Sequence, residues 1–195
     1  TTELTSTVLG QALFVFILIG IFTTYLVLFR KDYFAKPRNI LMIYVMVTLF
    51  PILVSLMMKH NIFSVYILPL AMVPIFVRVF LDSRTAFAAH VTMVIICAAA
   101  VKYQYEFIIV QIISGMVAIY SLRELSRRAQ VFKTALLVTL SSCIIYLALQ
   151  MMQNSDITKL DHNMYSYFVI NGVFLLISYP LMYLIEKTFG FISDV

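Results

Sequence analysis

Tyr179-Pro180-Leu181-Met182-Tyr183-Leu184-Ile185-Glu186-Lys187-Thr188-Phe189-Gly190-Phe191-Ile192-Ser193-Asp194-Val195 closes the chain. The stretch begins inside an apolar run, passes a proline, meets a Glu-Lys pair and leaves through Phe-Gly. Proline inside a membrane helix marks a kink, tolerated where neighbours satisfy the freed carbonyl. Glycine just past the last charged turn signals a helix end. The stretch therefore reads as a membrane helix emerging into water and running on as a connector. The chain is expected to be an excised domain whose natural continuation lies beyond Val195.

The remainder has the same character. Hydrophobic residues make up 63% and charged residues 12%, where a soluble domain is about half apolar. A membrane helix needs roughly 20 apolar residues. Seven runs approach that length: about 8–29, 39–58, 62–80, 85–101, 107–122, 134–152 and 165–185. They consume about 140 residues and leave only short loops, too little for a folded domain outside the membrane. The predicted fold is an all-α bundle of seven transmembrane helices. Pro51 falls inside the second run, Pro69 and Pro74 inside the third, and Gly10 and Gly20 offer close-packing positions on the first.

The cations test this count. One set of turns holds Arg30, Lys31, Lys36, Arg38, Arg78, Arg84, Arg123, Arg127, Arg128, Lys133 and Lys187, eleven of the fourteen. The other holds Lys59, Lys102 and Lys159. Positive charge accumulates on the cytoplasmic side, so the N-terminus is expected outside and the C-terminus inside. A six-span reading would put both ends on one side and blur the asymmetry. The net charge of +5 is then a topology signal, and no nucleic-acid partner is expected. Thr1 to Thr7 contain no basic segment of the signal-peptide kind. Cys97 and Cys143 fall inside spans and read as small apolar packers.

Ionisable and amide groups in or near spans are where function concentrates in such a chain. Arg78, Asp82 and Arg84 cluster where the third span meets the fourth. Arg78 and Asp82 are four apart, so they share a helix face and can pair. Their plain role is an interfacial ion pair; the functional one is contact with whatever hangs below. Arg123, Arg127 and Arg128 extend the fifth span as a basic end, for anionic lipid or for docking a cytoplasmic domain. His90, Gln111 and Asn171 are intramembrane polar groups, with Gln11 and Gln150 beside them. Such groups usually bridge helices, and His90 reads as a buried, hydrogen-bonded histidine. Ser114, Gly115 and Ala118 supply small residues for close helix packing. Asp156, Asp161 and His162 share the most polar loop, in a spacing that fits no metal-binding pattern. No P-loop, His-Glu-x-x-His, Gly-x-Ser-x-Gly or His-Asp dyad is present. Neither a cofactor nor a catalytic centre is expected in this chain.

The pattern Pro180, Glu186, Phe189, Gly190, Ser193 and Asp194 resembles the end of the membrane domain in bacterial seven-transmembrane receptors with an intracellular HD hydrolase. Two further stretches are similar to that family. Pro69, Pro74, Arg78 and Leu81-Asp82-Ser83-Arg84-Thr85-Ala86 resemble its proline-containing helix and following Asp-x-Arg turn, and Ser114-Gly115-Met116-Val117-Ala118 its fifth span. The resemblance implies a sensory domain in the bacterial cytoplasmic membrane, lying between an extracellular domain and a cytoplasmic phosphohydrolase. That enzyme would cleave a cyclic dinucleotide, commonly cyclic di-AMP, and be paired across a dimer. It implies that Pro180, Glu186, Phe189, Gly190, Arg78, Asp82 and Arg84 couple the bundle to the enzyme, with Pro180 as pivot. The competing reading is a small transporter, such as the substrate-binding subunit of a vitamin importer, which would need a deep polar cavity. A membrane-embedded enzyme ranks third, for want of paired catalytic residues.

Overall fold

The computed structural model describes residues 1–122 and 130–190. These form eight α-helices: α1 (Thr2–Phe29), α2 (Pro37–His60), α3 (Met72–Phe80), α4 (Ser83–Ala98), α5 (Gln104–Ser121), α6 (Gln130–Gln153), α7 (Asn163–Leu175) and α8 (Ser178–Phe189). Short 3-10 turns at Lys31–Ala35, Val65–Ile67 and Ile157–Lys159 join them. Five helical stretches are long and apolar enough to cross a bilayer: α1, α2, α5, α6 and the joined stretch Asn163–Thr188. Two shorter apolar stretches, Val65–Phe80 and Ser83–Ala98, complete seven passes. The seven-span bundle read from the sequence is the observed architecture.

Two of the passes are broken. The third, expected to be one helix over 62–80, is a helix only from Met72; before it the chain makes a 3-10 turn and an irregular step through Pro69. Nine residues of α-helix rise about 14 Å, far short of the hydrocarbon thickness. Non-helical backbone at membrane depth is tolerated only where protein covers it. That is where this segment sits. Tyr66, Leu70, Ala71 and nearly every residue of α3 are buried, and α4 packs against α1, α2, α3 and α5. The short elements form the centre, wrapped by the longer ones.

The last pass breaks between α7 and α8. Leu176 N–H bonds the Val173 carbonyl at 3.1 Å and Ile177 N–H that of Phe174 at 3.0 Å, so the chain tightens here to an i→i−3 pattern. Pro180 has no N–H to return to Leu176, and its ring crowds that carbonyl. It sits in the first turn of α8, where a missing donor costs least. Pro180 is thus the cause of the bend, and 176–177 is its place. Pro51, by contrast, is held within an unbroken α2.

The wrapping helices differ in how much they touch. The first turns of α1 stand clear of the bundle, with Leu9 65% and Phe16 76% exposed. Phe22 and Leu26, further along, are fully packed. An apolar surface of this kind faces lipid in a membrane protein. Between this part of α1, α2 and the end of α4 lies an open groove of about 490 Å³, lined by Phe14, Val47, Pro51 and Ile96 with Gln11 at its edge.

Candidate coupling site at the basic end of the bundle

His90, Gln111 and Asn171, the intramembrane polar residues, each serve the bundle. His90 is fully buried, and its Nε2 lies 2.6 Å from the backbone oxygen of Gln111. A carbonyl only accepts, so Nε2 carries the proton. The ring reaches α5 because residue 115 is glycine: a β-carbon there would lie 2.1 Å from the imidazole. One residue away, Ser114 donates to the Val110 carbonyl at 2.8 Å and meets Ser142 Oγ of α6 at 2.7 Å. Asn171 donates from Nδ2 to the carbonyls of Tyr66 (3.0 Å) and Leu68 (2.9 Å). Those carbonyls belong to the broken third pass, so an amide from α7 supplies what the helix ladder cannot. These residues hold helices together and do not converge on one cavity.

At the end of the bundle opposite the cationic loops, Tyr66 Oη donates to Glu106 Oε1 at 3.0 Å and Gln150 Nε2 to Glu106 Oε2 at 3.4 Å. Asp156 accepts from Thr158 N–H at 3.0 Å and Thr158 Oγ1 at 2.7 Å, and Asp161 from Asn163 N–H at 3.0 Å. These loop carboxylates cap their own turns. No group of three metal-ligating side chains occurs among the described residues.

The cationic end is organised differently. Asp82 stands at the N-cap of α4, where its Oδ2 accepts the Thr85 N–H at 3.1 Å. This is the standard use of an aspartate before a helix. Its Oδ1 accepts from the Tyr33 hydroxyl and lies 3.9 Å from Arg30 Nε. The Arg30 guanidinium is stacked over the Tyr33 ring at 4.2 Å and pairs with Asp32 at 3.2 Å. Tyr25 Oη and Thr85 Oγ1, 3.2 Å apart, add a contact from α1 to α4. The end of α1, the first loop and the start of α4 are thereby knotted together.

Electrostatics follow from this geometry. Burial alone would raise the Asp82 carboxyl, but hydrogen bonds from Thr85 and Tyr33 and the nearby Arg30 cation outweigh it. The carboxyl is held below its ordinary range. The Tyr33 phenol is pushed well above its usual value, first by burial and then by the Asp82 carboxylate it donates to.

The shared helix face expected of Arg78 and Asp82 is not formed. α3 stops at Phe80; Leu81 (φ −129°, ψ −104°) leaves the helical region and Asp82 (φ −148°, ψ 165°) is extended. Arg78 remains on α3 and Arg84 opens α4 beside the cap.

The exit of the chain joins the same end. α8 ends on Phe189, and Gly190 takes a left-handed conformation (φ 70°) with its N–H on the Glu186 carbonyl at 3.0 Å. Only glycine adopts this cap without strain. The Gly190 carbonyl accepts from Arg38 Nη1 of α2 at 2.6 Å. Arg38, counted in the sequence only for topology, is the residue that ties the exit to the bundle. Tyr33, Arg30 and Thr85 were missed as site residues too, because nothing in their spacing announces a cluster assembled from three elements. Arg123, Arg127 and Arg128, with Ser193 and Asp194, lie outside the described residues.

A seven-pass α-helical bundle whose exit is tied to the start of α2 at its cationic end is a multi-pass membrane domain. Residues 5–193 match the family described as 7TM receptor with intracellular HD hydrolase. The chain belongs to this family. The match fills nearly the whole length, so this chain is the receptor portion and does not itself carry the hydrolase. Searches of curated proteins and of solved structures gave no match.

Proposed function

We propose that this domain receives a signal at the face opposite its cationic end and passes it to an HD phosphodiesterase that cleaves cyclic di-AMP. In this reading the N-terminus lies outside, after an extracellular sensor domain, and the cationic end faces the cytoplasm of a bacterial cell. The hydrolase is paired across a dimer. One observation carries the reading: Arg38 holds the Gly190 carbonyl at 2.6 Å, so the connector leaving α8 is anchored to the start of α2. A shift of α1, α2 or α4 would reach the connector through Arg38 and would not depend on α8 alone. The break at 176–177 lets α8 move separately from α7, as a hinge at an element end does.

Nothing favours the importer reading. The groove between α1, α2 and the end of α4 is lined mostly by apolar side chains, the opposite of a deep polar cavity.

The test is cyclic di-AMP hydrolysis by the full-length protein in membranes, comparing Arg38→Ala with Lys133→Ala. Arg38→Ala is expected to change the basal rate about threefold or more, roughly the effect of one charge-assisted hydrogen bond. Lys133→Ala, a cation on α6 away from the exit, is expected to leave it unchanged. Equal rates for all three proteins would overturn the reading.

A further inference from the structure

The first loop, the start of α2 and the end of α3 line an open cavity of about 460 Å³, with Arg30, Asp32, Tyr33, Lys36, Arg38, Asn39, Phe80 and Leu81 facing it. Three of these residues are cations and one is an anion. Asp32 is committed to Arg30 at 3.2 Å, while Lys36 forms no ion pair with any described residue. α2, 24 residues long, begins here with Lys36 as its N-cap, Pro37 in its first turn, no side-chain cap and no acidic residue in that turn. No carboxylate of that turn compensates the positive end of its dipole. Backbone donors of a first turn have no helical partner by position.

Asn39 supplies the independent observation. It is 7% exposed and lines the cavity. Its side-chain amide makes no hydrogen bond to any described residue, yet its polar atoms are not sealed in protein. What surface it keeps opens into the cavity. A buried amide left unpaired costs free energy unless something meets it. An amide, a lysine, an arginine and an open helix N-terminus around one space match the donors that a phosphate takes.

We propose that this cavity binds a phosphate group, either the headgroup of an anionic phospholipid or a diffusible phosphate. Lys36 supplies a point charge, Asn39 a neutral donor, and the first turn of α2 its dipole. Because Arg38 also holds Gly190, the bound anion lies one side chain from the exit of α8. That regulatory consequence rests on the coupling reading above; the binding itself does not.

The experiment uses full-length protein in lipid nanodiscs, with two phosphate sources. In one arm, discs of phosphatidylcholine with a minority of phosphatidylglycerol are analysed by native mass spectrometry for retained anionic lipid. In the other, inorganic phosphate is titrated into neutral discs and followed by phosphorus NMR. Binding is expected in at least one arm, and which arm identifies the source. Lys36→Gln, an exposed and fold-neutral change, and Asn39→Leu are each expected to weaken it about tenfold. Lys133→Gln, which removes a charge from the same end outside the cavity, is expected to leave it within about twofold. Three results would overturn the proposal. They are no binding from either source, equal weakening by Lys133→Gln and Lys36→Gln, and wild-type binding by a folded Asn39→Leu protein. No readout involves hydrolysis, so failure here is distinct from failure of the coupling reading.

Discussion

Asn171 shows what one amide does when a membrane helix breaks. Two carbonyls of the third pass, Tyr66 and Leu68, lie outside any helix ladder, and Asn171 Nδ2 reaches both. Asn171→Leu keeps the volume and removes the donors, so the Tyr66 carbonyl loses its partner at about 1–3 kcal/mol, while that of Leu68 keeps the Leu70 N–H at 2.9 Å. The variant is expected to unfold at a clearly lower temperature in detergent; an unchanged midpoint would mean that water or another donor replaces the amide. Asp82 makes a prediction of the opposite kind. Its carboxyl is held below the ordinary value by Thr85, Tyr33 and Arg30 against the effect of burial. A lowered folded value contributes stability above the unfolded pKa of about 4, and that contribution is lost as pH falls through the folded value. The thermal midpoint should therefore hold near neutral pH and fall below about pH 4, and Asp82→Asn should flatten that acid limb while lowering the midpoint at pH 7. An unaltered acid limb in the variant would assign it to other carboxylates. At this scale the sequence was partly legible. His90 was readable as a buried, bonded histidine because no ligand partner stood near it on its helix. Tyr33 and Arg38 were not, because each acquires its role from a residue tens of positions away, Asp82 for one and Gly190 for the other.

Hydropathy reports that an element lies in the membrane and says little about whether it is continuous. The run 62–80 is apolar throughout, so it reads as one span, yet only Met72–Phe80 is α-helical. Pro69 was the available signal, but prolines also sit within intact membrane helices, as Pro51 does in α2. The difference is what surrounds them: the irregular third pass is central and buried, with an amide from α7 to satisfy it. Arg78 and Asp82 were misjudged for the same reason, since an i, i+4 face exists only while the helix lasts. The bend between α7 and α8 has its cause at Pro180 and its place at 176–177. The Leu176 carbonyl now accepts from Tyr179 N–H at 3.3 Å; Pro180→Ala offers it an i→i−4 donor instead and should straighten the pass. In the full-length protein this is expected to change how the hydrolysis rate responds to stimulus while leaving the chemistry of the hydrolase intact. A variant with wild-type response would show that the bend is not the pivot.

For the whole molecule, the count of seven passes and the gathering of cations on one side followed from run lengths and charge placement, quantities that tertiary packing does not alter. What the chain order could not convey was which passes lie at the centre. The third and fourth passes are the shortest, and they are inside because short or broken segments need cover from longer helices. The cationic end then brings together the tail of α1 with the first loop, the cap of α4 and the exit of α8, three separate pieces of sequence. The coupling account requires this end to face the compartment that holds the hydrolase. The direct measurement is cysteine accessibility in whole cells, on a full-length background with Cys97 and Cys143 replaced by alanine. Single substitutions are placed at Ser155, in the exposed loop between α6 and α7, and at Lys36, in the exposed first loop. A membrane-impermeant maleimide is predicted to label Ser155→Cys in intact cells and Lys36→Cys only after permeabilisation. The reverse pattern would put the exit of α8 outside, away from any intracellular hydrolase, and would contradict the account.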